Sequence, residues 1–410
     1  MECMHPRCAG LDVHKDTVVA CVRIAHERGG DAQTAVRTFG TTTSALYELA
    51  DWLDENRVTH AAMEATGVYW KPVWHVLEDG FELLLANPGH VKNVPGRKTD
   101  VNDATWLASL LAHGLIRGSF VPPRSIQELR ELSRCRKQFV RERSSHTQRL
   151  QKTLEDANIK LASVLSDVTG MSGRKILNAI VDGETDSKVL AALASDRVKA
   201  SRERLARALQ GVVTQHHRFM IRLHLEQIDA TNAAIAKVEV KAGEVLAPFA
   251  EAVALLVTMP GVSDTVATTI IAEIGADMSR FPRADNLISW AGLCPRNDES
   301  AGKRRSTRLR AGAPWLKTIM VGAAWSAVRV KDSYERTMFY RLKARRGPKK
   351  AICAVAASLL RSAYFMLLRR EPYKSLGADH FDTIDRERAK KRLVARLKNL
   401  GYNVEIQEAA

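Results

Sequence analysis

The 410-residue chain carries 62 Lys+Arg against 46 Asp+Glu, a formal charge of +16 and a pI near 9.7, with 45% apolar and 26% charged residues. That composition excludes a disordered tail, allows two or three domains each with its own core, and implies a polyanionic partner, nucleic acid before an acidic membrane surface. The N-terminus MECMHPRCAG has no signal-peptide apolar region, no apolar run reads as a membrane span, and six scattered cysteines without a CxxC pair point to reduced thiols in a cytoplasm.

Residues 9–24, AGLDVHKDTVVACVRI, read as two short strands around a polar turn, with Val13, Thr17, Val18, Val19, Val22 and Ile24 β-branched. Residues 33–39 add a third antiparallel strand. Residues 43–56 are predicted helical, with Leu46, Leu49, Ala50 and Leu53 on one face. A strand at 60–65, a helix at 69–79 ended by Gly80, and a strand at 81–86 stopped by Asn87-Pro88-Gly89 follow. A last helix spans 99–113, ended by Gly114. The order βββαβαβα fits an α/β RNase H-like (RuvC-like) mixed sheet.

Pro122-Pro123 close this first domain, 1–123. From Arg124 to about Asn158 a long charged helix is predicted, with a sparse seam of Leu129, Leu132, Val140, Leu150 and Leu154. It is either a coiled-coil arm for dimerisation or a basic helix against nucleic acid. Helices broken near Gly170–Gly173 and Gly183 complete a helical region, 124–250. A mostly α-helical domain, 251–410, opens with LLVTMPGVSDTVATTIIAEIG, two helices about a Pro-Gly-Val turn with Ala267, Ile270 and Ile274 facing inward. This resembles a helix-hairpin-helix, whose glycine turn offers backbone N–H groups to phosphate, and it also reads as a plain αα-hairpin.

The charge is unevenly spread: −4 over residues 1–123, +5 over 124–160, −2 over 161–300, +13 over 301–350 and +4 over 351–410. An acidic front end binds DNA poorly unless divalent cations sit on it. That end holds Asp12 in GLDVHKDT, Glu64 in AAMEATGVYW, and Asp100 and Asp103 in KTDVNDATWLASLL. Adjacent strands can bring Asp12 and Glu64 side by side, and a following helix can lay its first turn across the strand ends. Four carboxylates so arranged repel unless cations neutralise them, and oxygen-only ligands suit Mg²⁺ or Mn²⁺, a pair of which can clamp a phosphodiester. Taken singly, Asp12 is also an ordinary turn residue, and Asp100 and Asp103 also complement a helix dipole.

Downstream, Ser300 sits between Asp298-Glu299 and Ala301-Gly302, ahead of Lys303, Arg304, Arg305, Arg308 and Arg310. A serine beside a glycine in a basic loop suits a nucleophile meeting a backbone phosphate, although most such serines are loop residues. Arg341, Lys343, Arg345, Arg346, Lys349 and Lys350 are suited to tracking phosphates without reading sequence. Trp290, Trp315 and Trp325 read as core in preference to base-stacking platforms.

In order and spacing, GLDVHK, MEATGVYW, KTDVNDA, LLVTMPGV, RFPRADNLISWAGLCPRNDESAGK and DSYERTMFYRLKARRGPKKAICAVAASLL resemble the IS one-ten (DEDD) transposase family across nearly the whole chain. The resemblance implies a RuvC-like domain whose Asp, Glu, Asp, Asp tetrad binds Mg²⁺, falling on Asp12, Glu64, Asp100 and Asp103. It implies a coiled-coil arm and a transposase domain whose catalytic serine falls on Ser300, with Ser306 the other candidate because Ala301 is inserted before Gly302. It further implies donor and target DNA and a bridge RNA as partners, and dimers assembling to a tetramer in which the serine of one subunit completes the carboxylate site of another. Gly261-Val262-Ser263 departs from the family's usual Gly-Ile-Gly.

Other readings predict different behaviour. A RuvC-like junction endonuclease would use water as its nucleophile and tolerate Ser300→Ala. A non-enzymatic binding protein would tolerate Asp12→Asn and Glu64→Gln as well. GLDVHKDT also resembles the phosphate loop of actin-like sugar kinases, but residues 240–300 offer no second Gly-Thr-rich hairpin of that kind.

Overall fold

The protein is described here from a computed structural model covering residues 3–26, 31–92, 94, 102–295, 298–300, 302–306, 308–309, 312–384 and 386–405. Its contacts divide it into two compact units, Met1–Val121 and Pro122–Ala410.

The first unit is a five-stranded mixed sheet with helices on both faces. Its elements are β1 (Arg7–Val13), β2 (Thr17–Ile24), β3 (Gln33–Gly40), α1 (Thr43–Glu55), β4 (His60–Glu64), α2 (Trp70–Leu77), β5 (Glu82–Ala86), α3 (Pro88–Lys92) and α4 (Asp103–Ala112). The strand order is β3-β2-β1-β4-β5, antiparallel through β1 and parallel from β1 to β5. A meander followed by βαβ crossovers gives this mixed sheet directly, and it is consistent with the RNase H-like α/β domain expected. Alternate residues of β1 and β4 face opposite layers. Ala9, Leu11, Val13, Ala61 and Met63 pack with Leu46, Leu49 and Leu53 of α1 and Val73 and Leu77 of α2. Cys8 and Ala62 pack with Leu107 and Leu111 of α4 on the other side.

Helix α4 starts later than the periodicity predicts. Asn102 is its N-cap, its side chain accepting a bond from the amide of Ala104 at 2.9 Å, so Asp103 rather than Thr99 opens the helix.

The second unit is mostly helical. Helix α5 (Arg124–Asp156) runs unbroken for 33 residues, and α6 (Met171–Asp182), α7 (Ser187–Ala192) and α8 (Arg202–Ala208) lead to α9 (Gln215–Leu246), almost equally long. The two long helices lie antiparallel: Arg136 pairs with Glu239, Arg143 bonds Asn232, and Asp156 meets His217. Leu150, Leu154, Ile221 and Leu225 join Ile176, Ile180, Leu190 and Leu205 in one core at the far end of this pair. The charged helix thus has a partner within its own chain, which accounts for its sparse apolar seam: one side of it is covered here.

Next come α10 (Ala250–Val257), α11 (Asp264–Ile274), α12 (Ala284–Trp290), β6 (Asp298–Ser300), β7 (Lys303–Ser306), α13 (Pro314–Ala327), α14 (Tyr334–Arg346), α15 (Pro348–Arg369), α16 (His380–Ile384) and α17 (Arg386–Asn399). Helix α15 corrects one expectation. It is long and apolar enough to cross a membrane by length and composition, yet more than half of its apolar window is buried against protein. It packs with α12, α13 and α14 and buries Ile352, Val355, Leu359, Leu360 and Leu367, and a helix surrounded on several sides is apolar nearly all round.

The α10–α11 turn has Pro260 and Gly261 at its centre, with the Val262 amide bonded to the Met259 carbonyl at 3.2 Å. Gly261 adopts φ +76°, as the third residue of a type II turn requires. A Cβ there would overlap the carbonyl of Ala323 and lie 2.6 Å from the amide nitrogen of Ala327. The open side of this glycine therefore faces α13, and close packing is its first use. Ala267, Ile270 and Ile274 are buried, as the pattern predicts.

Candidate active site

The carboxylates of the first unit are organised by strand register. Leu11 of β1 pairs with Met63 of β4 in parallel, so Asp12 and Glu64 occupy the next positions of adjacent strands. Because Leu11 and Met63 face the α1–α2 layer, Asp12 and Glu64 face the α4 layer. Both are half-buried. Asp12 Oδ2 lies 3.2 Å from Nε2 of His14, just past the strand end.

Helix α4 runs back along β1 at close range. The carbonyl of Ala112 accepts from the Met4 amide at 2.8 Å, and that of Ala108 accepts from the Cys8 thiol at 3.5 Å. A Cβ on Gly10 would overlap the backbone of Ala104 and Ala108 and stand 2.9 Å from the Cβ of Leu107. Glycine at position 10 is what lets the helix descend onto the strand. Its first residue, Asp103, is thereby directed toward the Asp12 end of β1, where it is exposed. Asp100 lies outside the described residues. Among the described residues no group of three or more His, Cys, Asp and Glu side chains stands within metal-binding reach. The donors that register brings together are a pair, Asp12 and Glu64.

In the second unit, β6 and β7 form an antiparallel hairpin with a bulge at Asp298/Glu299. Ser300 ends β6 and pairs with Lys303 across a turn in which Gly302 takes φ +73°, a conformation costly to any residue with a Cβ. A bridge between Pro295 and Leu309 extends the stem. Ser306 ends β7 opposite Asp298, and its Oγ accepts from the Arg308 amide at 3.2 Å. The Ser306 Oγ thus bonds within its own loop; the Ser300 side chain, like those of Asp298 and Glu299, lies outside the described residues. Lys303 and Arg308 are exposed; Arg310 lies outside the described residues, as do the side chains of Arg304 and Arg305.

Of the downstream cations, Lys343, Arg345, Arg346, Lys349 and Lys350 are exposed around the junction of α14 and α15, and Arg341 is half-buried over the Phe381 ring at 5.2 Å. The tryptophans divide. Trp290 packs on Phe281 with ring centroids 6.1 Å apart, while Trp325 is 42% exposed. Trp315 lies under three cations of α5, with Arg134, Lys137 and Arg141 at 5.7, 5.4 and 5.2 Å from its ring centroid. Burial and the neighbouring Arg141 hold the Lys137 ammonium below the usual lysine range, against the pull of Glu273.

The sequence gives a basic helix here as one alternative without placing this stripe on one face. Its signal was present: Arg130, Arg134, Lys137 and Arg141 recur at +4, +7 and +11, one face of a helix.

Residues 9–159 match a family model for transposases of the DEDD, IS110 type, and residues 253–341 match a second, described as transposase of the IS116/IS110/IS902 family. The chain belongs to the IS110 family of transposases. It is a DNA-cleaving and rejoining enzyme of an insertion sequence, and DNA is its substrate. Comparison with curated proteins returns no match. The first match spans the mixed sheet, α4 and the whole of α5; the second spans the glycine turn, the β6–β7 hairpin and most of α14. Asp12, Glu64, Asp100 and Asp103 lie inside the first matched segment and the β6–β7 hairpin inside the second, while Lys343 to Lys350 lie beyond it.

Proposed function

We propose that the transposase cuts and rejoins DNA through a covalent phosphoserine link, with Asp12, Glu64, Asp100 and Asp103 as its carboxylate site and Ser300 as its nucleophile. The observation that carries this reading is the β1–β4 register, which sets Asp12 and Glu64 side by side on one face, in a chain that belongs to a DEDD transposase family. The β6–β7 hairpin supports the choice of serine, because Ser306 is engaged in its own turn.

The chemistry of the donors suits a hard divalent cation: two half-buried carboxylates lie on adjacent strands, and Asp103 opens the helix directed toward the same strand end, although no three described carboxylates stand within metal-binding reach. Mg²⁺, or Mn²⁺, would be held by Asp12, Glu64, Asp100 and Asp103, and bound there it supplies charge neutralisation for the phosphodiester. The Ser300 hydroxyl attacks phosphorus, the Ser Oγ–P bond forms and the P–O3′ bond breaks. The hydroxyl proton passes to a nearby base, and the departing 3′ oxygen takes a proton from that conjugate acid or from water to become a 3′-hydroxyl. Reversal of the step by a partner strand's 3′-hydroxyl rejoins the DNA and frees the serine, so bond energy is conserved and no ATP is needed. Lys303, Arg304, Arg305, Arg308 and Arg310 hold phosphate oxygens around the hairpin. The cations from Arg341 to Lys350 track a nucleic-acid backbone without reading bases.

The finer organisation belongs to the same proposal. Residues 1–123 act as the RuvC-like metal domain, 124–250 as the coiled-coil arm region, and 251–410 as the transposase domain. The 250–274 segment acts as a helix-hairpin-helix; Ser263, the N-cap of α11, makes no side-chain bond to the first turn and so leaves those amides to a phosphate. A bridge RNA supplies sequence choice by pairing, and dimers assemble to a cytoplasmic tetramer in which subunits share their sites.

The experiment is trapping of the covalent intermediate. Wild-type protein with Mg²⁺ and an insertion-sequence junction yields a protein–DNA adduct resistant to denaturation, and Ser300→Ala yields none while still binding DNA. If the adduct persists in Ser300→Ala, the nucleophile is another residue. If Ser300→Ala still cuts without an adduct, water is the nucleophile and the junction-endonuclease reading holds.

A further inference from the structure

The second unit contains a cavity of about 640 Å³ lined by Arg336, Tyr340, Arg341 and Arg345 of α14, Phe381 of α16 and Arg392 of α17. Its volume falls within the roughly 300–1,000 Å³ of small-ligand sites. Arg336 with Tyr340 and Arg341 with Arg345 are each four residues apart, two neighbouring rows along α14 that both line the cavity. Helix-dipole complementarity accounts for Arg345 in the last turn, but not for Arg336 in the first turn or Arg392 on another helix.

Two of the arginines sit over aromatic rings. The Phe381 ring stacks on Tyr334, with centroids 5.2 Å apart and planes 16° from parallel, and Arg341 covers Phe381 at 5.2 Å. Arg336 covers the Tyr340 ring at 5.4 Å. A guanidinium fixed against an aromatic face has already lost much of its rotamer freedom and still offers N–H donors at its edge. Among the described residues four guanidiniums line the cavity against one carboxylate, that of Asp332, an imbalance that favours an anion. The space exceeds what a phosphate fills, and its flat aromatic and guanidinium surfaces suit a base. A duplex presents a convex backbone with its bases stacked inside, so its bases do not reach a recess of this kind.

We propose that this cavity takes one unpaired nucleotide of a nucleic-acid strand. Its phosphate is held by guanidiniums at the cavity wall, with the exposed Arg392 of α17 among them, its base lies on the Arg341–Phe381–Tyr334 stack, and Asp332 accepts from an exocyclic base amine. This rests on the reading of the chain as a nucleic-acid-processing enzyme and adds to it a site that distinguishes unpaired from paired strands.

The test uses the full-length Ser300→Ala protein, so that binding is measured without chemistry. Fluorescence anisotropy at one fixed salt concentration compares a labelled 12-nucleotide single strand, as RNA and as DNA, with the same DNA sequence as a blunt duplex. Phe381→Leu is expected to weaken single-strand binding on the order of ten-fold and to leave duplex binding within about two-fold. A loss confined to the RNA strand or to the DNA strand supports the site and names the source of the nucleotide. Equal loss for single strand and duplex, or no loss for either, overturns the proposal and leaves a plain basic face. Should Phe381→Leu lower the unfolding midpoint, the surface variant Arg392→Gln carries the same comparison under the same criteria. An adduct that persists in Ser300→Ala would overturn the nucleophile assignment while leaving these binding ratios unchanged, so the two failures are read apart.

Discussion

Arg134 of α5 and Glu273 of α11, 139 residues apart in sequence, form a bidentate ion pair in which Nε and Nη2 donate to separate carboxylate oxygens at 2.8 Å each. The Glu273 side chain is 1% exposed. Arg130, one turn earlier, donates to the carbonyls of Glu273 at 2.6 Å and Ala272 at 3.3 Å. The base of the long helix is thus fastened to the helix that follows the glycine turn.

Removing one partner leaves a buried charge without its main counter-ion, which costs more than the intact pair contributes. Arg134→Ala is expected to destabilise the transposase by about 3 kcal/mol, read from urea-unfolding midpoints. The double variant Arg134→Met/Glu273→Leu should recover much of that loss. A double variant less stable than Arg134→Ala would show that the ion pair contributes net stability.

His224 is buried on α9 with its Nδ1 3.3 Å from Nδ1 of His146 on α5. Burial, then His146, then Arg149 push its pKa below the ordinary histidine value of 6.5. Between the folded and unfolded pKa values the unfolded chain binds more protons, so stability rises with pH there. It is complete above about pH 6.5, falls as the pH drops from there toward the folded pKa while the unfolded histidine takes up its proton, and changes no further below that. The wild-type melting temperature should drop between pH 7.5 and 5.5, and His224→Gln should show a smaller drop over the same interval.

At Gly10 the packing of α4 leaves no room for a Cβ. Gly10→Ala is expected to cost about 2–3 kcal/mol and to displace the start of α4 from the Asp12 end of β1. Cleavage should therefore fall more than DNA binding does. Equal stability and cleavage in Gly10→Ala would show that the helix is not held by this contact.

Ser306→Ala removes one turn hydrogen bond, worth about 1 kcal/mol, and should still form the covalent adduct. Adduct assays on Ser306→Ala and Ser300→Ala in parallel separate the two serines directly.

Asp12→Asn and Glu64→Gln keep the shape of each side chain and remove its charge. Each is expected to lower cleavage on the order of 100-fold or more while DNA binding, measured by gel shift, stays within a few-fold. Retained cleavage in either variant would remove that residue from the site.

Much of the first unit was legible in the chain because its signals are local. Thr17–Ile24 and His60–Glu64 are short β-branched or apolar runs closed by turn residues, and the observed strands end within one or two residues of the predicted bounds. The start of α4 was not, because the apolar periodicity does not mark its first turn, which is set by the Asn102 side chain accepting from the Ala104 amide. The partner of α5 was also hidden. Its apolar seam is sparse because Arg136, Arg143 and Asp156 make polar contacts along α9, and a pairing between helices about sixty residues apart at their nearest leaves no local periodic signal.

Residue order alone determined the family, the acidic front end and basic block, and the candidates Asp12, Glu64 and Ser300, since each follows from composition or from motifs a few residues long. The tertiary structure decided which of these are neighbours. Strand register sets Asp12 beside Glu64, and the Gly10 contact brings the start of α4 down onto β1. The arginines of α14 become a cavity only where α16 and α17 return to cover them. Register, overlap and cavity shape depend on distances between segments remote in sequence, and those are set by packing rather than by any local run of residues.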